Sequence, residues 1–264
     1  MSSNTLDAGA LHPLDKPTAG RWAATGKRAL QPSGPEEAET LSTRAKAARP
    51  FVGEWRLGHT LQVWMRHRSP QLILLGLVAF AAARAMMGPL GWTDLIAVVA
   101  LVVYQPINEW FIHAHLLHLI PRKFGPAGLR LQWDLPMARR HRRHHADPWD
   151  LANLFIPLGA ILFSLVFHSL LFGLLLPVPV AMTALATVHA IGLVYEWTHY
   201  VAHVPYRPLL PWMRTLQQRH RLHHFKNERF WLGVSSNLGD RLLGTLPDAK
   251  QVEASPTARL LQRV

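Results

Sequence analysis

Cysteine is absent from this 264-residue chain, which excludes disulfides, thiolate metal sites and thiol nucleophiles and leaves any coordination to its 16 histidines. Acidic residues are also scarce: 16 Asp and Glu stand against 28 Lys and Arg, a formal charge of +12. A surplus of that size suits either nucleic acid or an anionic surface. The basic residues cluster beside apolar spans rather than on a polar face, so anionic lipid headgroups are the expected partner and nucleic acid is not. No apolar stretch follows the first positive charges, so a cleaved secretory signal is not expected. No solenoid-type repeat is present, although apolar hairpin and histidine-rich box alternate twice, a loose duplication.

The apolar residues are unevenly placed. Mean hydropathy is near zero (+0.07) because polar ends dilute a strongly apolar middle. Residues 1–50, rich in Ser, Ala, Pro, Gly and charge, carry no apolar periodicity and are expected to form a disordered tail. Over residues 51–70, Leu57, Leu61, Trp64 and Met65 fall on one helical stripe with Arg56, Arg66 and Arg68 elsewhere. That pattern predicts an amphipathic helix in the headgroup plane, the alternative being an ordinary surface helix.

Residues 71–250 then read as a membrane domain and 251–264 as a C-terminal tail. Leu72 to Met87 and Trp92 to Ile112 form a first hairpin around Gly88-Pro89-Leu90-Gly91. Its first limb is short, re-entrant or with Arg84 snorkelling to the far interface. Leu154 to Leu176 and Val178 to Tyr195 form a second, separated by Pro177 and Pro179. The turns inside the hairpins lack Lys and Arg, whereas the segments after each hairpin are rich in both. The positive-inside rule therefore puts both termini and all histidine boxes in the cytoplasm. The expected fold is an all-α integral membrane protein of two transmembrane hairpins, about four spans, under a cytosolic histidine-rich helical cap.

Residues three or four apart share a helical face, so His199 with His203, and His220 with His223 and His224, point together. His141, His144 and His145 repeat the His-x-x-His-His spacing, and two such half-sites suggest two metals. His113 and His118, five apart, share a face only if the helix ends or distorts near Pro121; His115 is three from His118 but the least certain member. His168 and His189 read as hydrogen-bonded core residues, and His12, His59 and His67 as solvated. A basic, phosphate-attracting surface would account for Arg139, Arg140, Arg142 and Arg143. It gives no reason for histidine rather than lysine, nor for the repeated register. Imidazole suits iron, zinc, copper and nickel alike.

These boxes and their flanks resemble the membrane-bound fatty acid hydroxylase and sterol desaturase superfamily, most closely its fatty acid 2-hydroxylases. The resemblance runs from about Gln105 to Thr245, through Glu109-Trp110 leading to His113 and His118, and His141-x-x-His144-His145-x-Asp147-Pro148-x-Asp150. It continues through Tyr195-Glu196-x-x-His199-Tyr200-x-x-His203, His220-x-x-His223-His224-Phe225 and Gly233-Val234-Ser235-Ser236-Asn237-x-Gly239-Asp240 to Gly244-Thr245.

The resemblance implies a centre of two metal ions, iron in the active enzyme and zinc possible in a purified sample, that uses O2 to hydroxylate a fatty acyl lipid. The implied ligands are His113, His118, His141, His144, His145, His199, His203, His220, His223 and His224. Tyr195 and Glu196 are the candidate catalytic residues beside them. Glu109, Glu196, Asp147 and Asp240 are candidates to orient imidazole N–H groups, Asp240 more as a structural residue. The chain departs from 2-hydroxylases at Tyr195-Glu196, where they carry Tyr-Asp, and at His203-Val204, where paired histidines are frequent; both bear on substrate more than on chemistry. Some eukaryotic members also carry an N-terminal cytochrome b5 domain, for which residues 1–50 are too short and polar. A separate electron donor of cytochrome or ferredoxin type is therefore expected, in a bacterial inner membrane if the composition reflects a bacterial source.

Overall fold

The computed structural model describes residues 51, 53–124, 131–259 and 261, with the side chains of residues 122–132 outside the description. The tail expected over residues 1–50 lies outside the described residues. Nine α-helices appear among those described: α1 (Leu57–Trp64), α2 (Arg68–Ala85), α3 (Trp92–Phe111), α4 (Pro136–Ala146), α5 (Leu151–Leu154), α6 (Leu158–Leu175), α7 (Val178–His203), α8 (Pro211–Phe225) and α9 (Leu238–Leu242). A π-helical stretch, Ile112–Leu117, continues α3. The all-α expectation misses one feature, an antiparallel ribbon of β1 (Arg122–Phe124) and β2 (Leu131–Trp133) that pairs Lys123 with Gln132.

Three stretches are long and apolar enough to cross a membrane: Trp92–Leu117, Leu151–Leu175 and Val178–His203. The expectation of about four spans therefore rests on α2, whose 18 residues include Arg68 and Arg84 and fall short on that measure. α7 is the central helix, packed against α2, α3, α6 and α8. Large apolar side chains stay exposed along α3 (Val99, Val102, Val103) and α6 (Leu162, Phe163, Val166, Leu170, Leu174). So continuous an apolar surface is costly in water and suits lipid.

Arg84 does not snorkel. Its guanidinium is buried, paired with Asp94 (Nη2 to Oδ2 2.6 Å, Nε to Oδ1 2.8 Å), and donates to the carbonyls of Gly88 and Pro89 at 2.9 Å. Asp94 also accepts from the Gly91 N–H and the Thr183 hydroxyl. An arginine at this depth needs fixed partners, and the turn that joins α2 to α3 supplies them. The ion pair thus ties α2, α3 and α7 together at the end of the bundle away from the histidine boxes.

α2 crosses α7 closely because Gly76 leaves room for His189, whose ring atoms would lie 2.3 Å from a Cβ at that position. His189 donates through Nδ1 to the Leu185 carbonyl at 2.8 Å, the core role expected of it. At the opposite end α1 docks through Trp64, which packs edge-on against Trp197, and through the Thr60 carbonyl, which accepts from the Tyr200 hydroxyl. Leu57 and Leu61 remain exposed, so the expected amphipathic stripe divides between core and surface. His59 is exposed as expected, whereas His67 is half-buried and stacked on Phe155.

Candidate metal centre

α4 and α8 each begin with proline at the first turn, where a missing N–H costs nothing, and each ends in a His-x-x-His-His box. On each helix the first and last histidines lie one turn apart on one face and the middle histidine lies on the next. The ten histidines named by the resemblance gather in two groups of five. Cluster one is His113, His118, His141, His145 and His223; cluster two is His144, His199, His203, His220 and His224. Within each, one ligand atom per residue lies within 4.8 Å of all the others. The expectation that each box makes its own half-site is corrected here. α4 sends His141 and His145 to cluster one and His144 to cluster two, while α8 sends His220 and His224 to cluster two and His223 to cluster one.

The remaining members come from the ends of the long helices. His199 and His203, one turn apart, close α7. Its C-terminal carbonyls are held by α8: Arg221 donates to the Ala202 carbonyl and Gln217 to that of Val201, and Gln217 also to that of Tyr206 just beyond the helix. His113 and His118 would stand about 140° apart on an ideal α-helix. The π-turn between them adds a residue to the hydrogen-bonded ring and brings their ring centroids to 4.9 Å. The distortion expected near Pro121 therefore begins at Ile112. His115 belongs to neither cluster; it is exposed and packs on Trp110 and Phe111.

Within the clusters Nε2 atoms face one another: His113 to His141 at 3.1 Å, His141 to His145 at 3.1 Å, His145 to His223 at 3.2 Å, His144 to His199 at 3.1 Å and His203 to His220 at 2.9 Å. Ligand nitrogens bonded to one ion at about 2.0–2.1 Å lie about 2.9–3.4 Å apart, depending on the angle. The tautomers make the argument sharper. His145 Nδ1 bonds the Ala258 carbonyl at 2.8 Å and His223 Nδ1 the Phe230 carbonyl at 2.9 Å, so each Nδ1 carries the proton. Both Nε2 atoms are then bare lone pairs 3.2 Å apart, and a shared cation, not a hydrogen bond, suits that geometry.

Protonation is disfavoured as well. Burial first, and then neighbouring imidazoles, hold His118, His141, His144, His145, His220 and His224 well below the usual imidazole range, and burial holds His223 at about 4. Neutral imidazoles are the form that binds metal.

The carboxylates act at one remove. Glu109 accepts from the N–H groups of Val234 and Ser235 and from the Ser235 hydroxyl. Asp240 accepts from Leu232 N at 2.9 Å, Gly233 N at 2.8 Å and the Thr245 hydroxyl at 2.5 Å. Both anchor the loop after α8, and that loop's carbonyls at Phe230 and Leu232 bond His223 and His113. Between these two carbonyls Trp231 sits at φ 54, a conformation that costs about 1–3 kcal/mol and is held by the buried indole and the Trp231 N–H to Thr245 carbonyl bond. Glycine is required at 233, where a Cβ would lie 2.0 Å from the Ser236 carbonyl, and at 239, where it would lie 2.4 Å from that of Pro106.

Glu196 accepts from Ser69 and from the Ile156 N–H, joining α2, α7 and the start of α6, and Asp147 accepts from Trp149 N. Among the described residues neither carboxylate bonds an imidazole. Tyr195 lines an apolar cavity of about 310 Å³ together with His113, His141 and His199, so both clusters open on one chamber. The cavity runs between α3, α6 and α7 past Leu101, Ile191 and His168, a lining role for His168 that periodicity alone did not suggest. Two arginines of α4 bond the protein itself: Arg140 and Arg142 donate to the Ala152 and Leu119 carbonyls, and Arg142 pairs with Asp134 at 2.6 Å.

A helical, apolar bundle capped by two histidine clusters that could each hold a metal ion is an architecture suited to a membrane. The model of the family described as Fatty acid hydroxylase matches residues 97–245, and the chain belongs to that family. Human Fatty acid 2-hydroxylase is 30% identical over 143 residues, 54% of this chain and 37% of that one. The chain thus spans little more than a third of the human relative. Dihydroceramide fatty acyl 2-hydroxylase FAH1 of Arabidopsis thaliana is 25% identical over 194 residues, 72% of this chain and 76% of that one. Among solved structures, full-length scs7p, with only its hydroxylase domain visible, aligns with a TM-score of 0.56 at 23% identity, covering 71% of this chain and 68% of that chain. That likeness speaks for the fold.

Proposed function

We propose that this protein is an O2-dependent lipid hydroxylase with two metal ions, iron in the active enzyme, acting on the carbon next to an acyl carbonyl. The observation that carries the reading is the shared chamber: His113 and His141 of one cluster and His199 of the other line a single apolar cavity between membrane helices. Family membership and the 2-hydroxylase relatives support the lipid substrate and the 2-position.

The ten clustered histidines would hold the ions, which when bound supply the activation of O2. The protein's own residues do the rest. The apolar walls from α3, α6 and α7 align an acyl chain and exclude water, and Tyr195 borders the place where its head would meet the histidines. Insertion of one oxygen atom into C–H with reduction of the other to water consumes two electrons and two protons. A separate cytochrome or ferredoxin would deliver the electrons, and solvent the protons, at the cytoplasmic face, where the positive-inside rule puts both termini and the histidine cap. A membrane metal transporter fits less well, since transport sites lie near the bilayer midplane between broken helices whereas these histidines sit at helix ends and in the cap.

The test is the lipid profile, by mass, of a host expressing the chain beside one expressing His144→Ala. The expected result is acyl chains hydroxylated at the 2-position only with the unaltered chain. Oxygen placed on a sterol, carotenoid or head group would keep the chemistry and replace the substrate; no oxidised lipid from a metal-loaded protein with a reducing partner would refute the reading.

A further inference from the structure

Residues 253–259 lie beyond the part of the chain that the family matches, which ends at 245, yet they reach the metal centre. The Ser255 N–H donates to the Lys226 carbonyl at 2.7 Å, and the hydroxyls of Ser255 and Thr257 both donate to Glu228 Oε1, at 3.1 and 2.6 Å. These bonds pin the segment to the turn after α8. From there Ala258, 2% exposed, presents its carbonyl to His145 Nδ1 at 2.8 Å. The next side chain, Arg259, donates through Nε to the His145 carbonyl at 2.8 Å and through Nη2 to that of Ala146, and lies 5.1 Å over the Phe225 ring. One short segment therefore holds both the imidazole and the backbone of the same histidine, and satisfies the last carbonyls of α4.

We propose that residues 253–259 form a positioning strap for cluster one: Ala258 fixes the His145 tautomer so that Nε2 faces the ion, and Arg259 locks the end of α4 that carries it. The strap touches no member of cluster two through a hydrogen bond. Outer partners of metal-bound histidines typically govern about 10–100-fold in affinity. Loosening the strap therefore weakens the ion of cluster one most and reaches cluster two only through His144, the neighbour of His145 on α4.

The inference rests on the metal reading above, and the experiment separates the two. The full chain, purified metal-free in detergent, is titrated with Co(II), scoring ions per chain and the visible ligand-field bands. The unaltered chain is expected to bind two; if it binds none, the metal reading fails. With Arg259→Ala, one Co(II) should weaken by about 10–100-fold and the remaining spectrum should match that of His141→Ala, while Arg259→Lys, still able to donate to the two carbonyls, recovers most of the loss. Thr257→Val, which removes the shorter of the two bonds to Glu228 without changing shape, should act in the same direction and decides the matter if Arg259→Ala loses helicity. Two ions bound with unaltered affinity in Arg259→Ala and Thr257→Val, or equal weakening of both ions in a folded variant, would overturn the strap.

Discussion

The two histidine clusters use the same ligands in mirror arrangement but are supported differently. In cluster one, His113, His145 and His223 each bond a backbone carbonyl through Nδ1, at Leu232, Ala258 and Phe230. In cluster two, the Nδ1 atoms of His144, His203, His220 and His224 are buried with no partner among the described residues. Cluster one is thus oriented by an outer layer of backbone and cluster two by helix packing: His144, His203 and His224 meet edge to edge at centroid separations of 4.5–4.8 Å. A carbonyl partner fixes the tautomer and raises ligand basicity. Equal coordination, on this view, does not make equal sites.

The sharpest way to break that division is to remove one ligand from each side. His141→Ala should empty cluster one and His203→Ala cluster two, each leaving one ion per chain by elemental analysis and lipid oxidation below detection. If either variant loses both ions, the clusters are one coupled centre; if either keeps both, the assignment of ligands is wrong.

A smaller effect should fall on one side only. Glu109→Ala leaves the buried Val234 N–H unpaired, at about 1–3 kcal/mol, and the half-buried Ser235 N–H at less, and frees the loop that carries the Leu232 and Phe230 carbonyls. Affinity at cluster one should drop by about 10–100-fold with cluster two unchanged, read by Co(II) titration. A symmetric loss would show that Glu109 supports the bundle as a whole.

Which parts of this arrangement were legible in the sequence follows from how local each one is. Eight of the ten clustered histidines could be named from ligand spacing on a helix, a property of a few consecutive residues, whereas His113 and His118, five apart, join the set only through the family resemblance. Their partition could not: whether His144 joins His145 or His199 depends on how α4 crosses α7 and α8, which no spacing encodes. The π-turn at Ile112 replaces an α-turn without a proline or glycine to mark it. Arg84 reads as a misplaced charge until Asp94 turns toward it across the hairpin, and the bond that Glu196 accepts from Ser69, 127 positions away, is equally invisible in the sequence. The residues over 253–259 look like a tail because their contacts are with His145 and Glu228, distant in sequence and silent in composition.

The smallest effect expected concerns a histidine outside both clusters. His168 sits on α6 with its Nδ1 bonded to the Ser164 carbonyl at 2.8 Å, and its ring borders the cavity. His168→Ala should leave two ions per chain, since neither cluster draws on it and its own hydrogen bond stays within one helix turn. Enlarging the cavity wall at that point should instead shift which acyl chains are oxidised, toward bulkier or longer ones, measured in the same lipid profile. Unchanged metal with shifted products would place His168 in the substrate wall; lost metal would mean that the two groups of five are not self-contained, and the contrast between a carbonyl-supported and a packing-supported site would have to be redrawn around a third element.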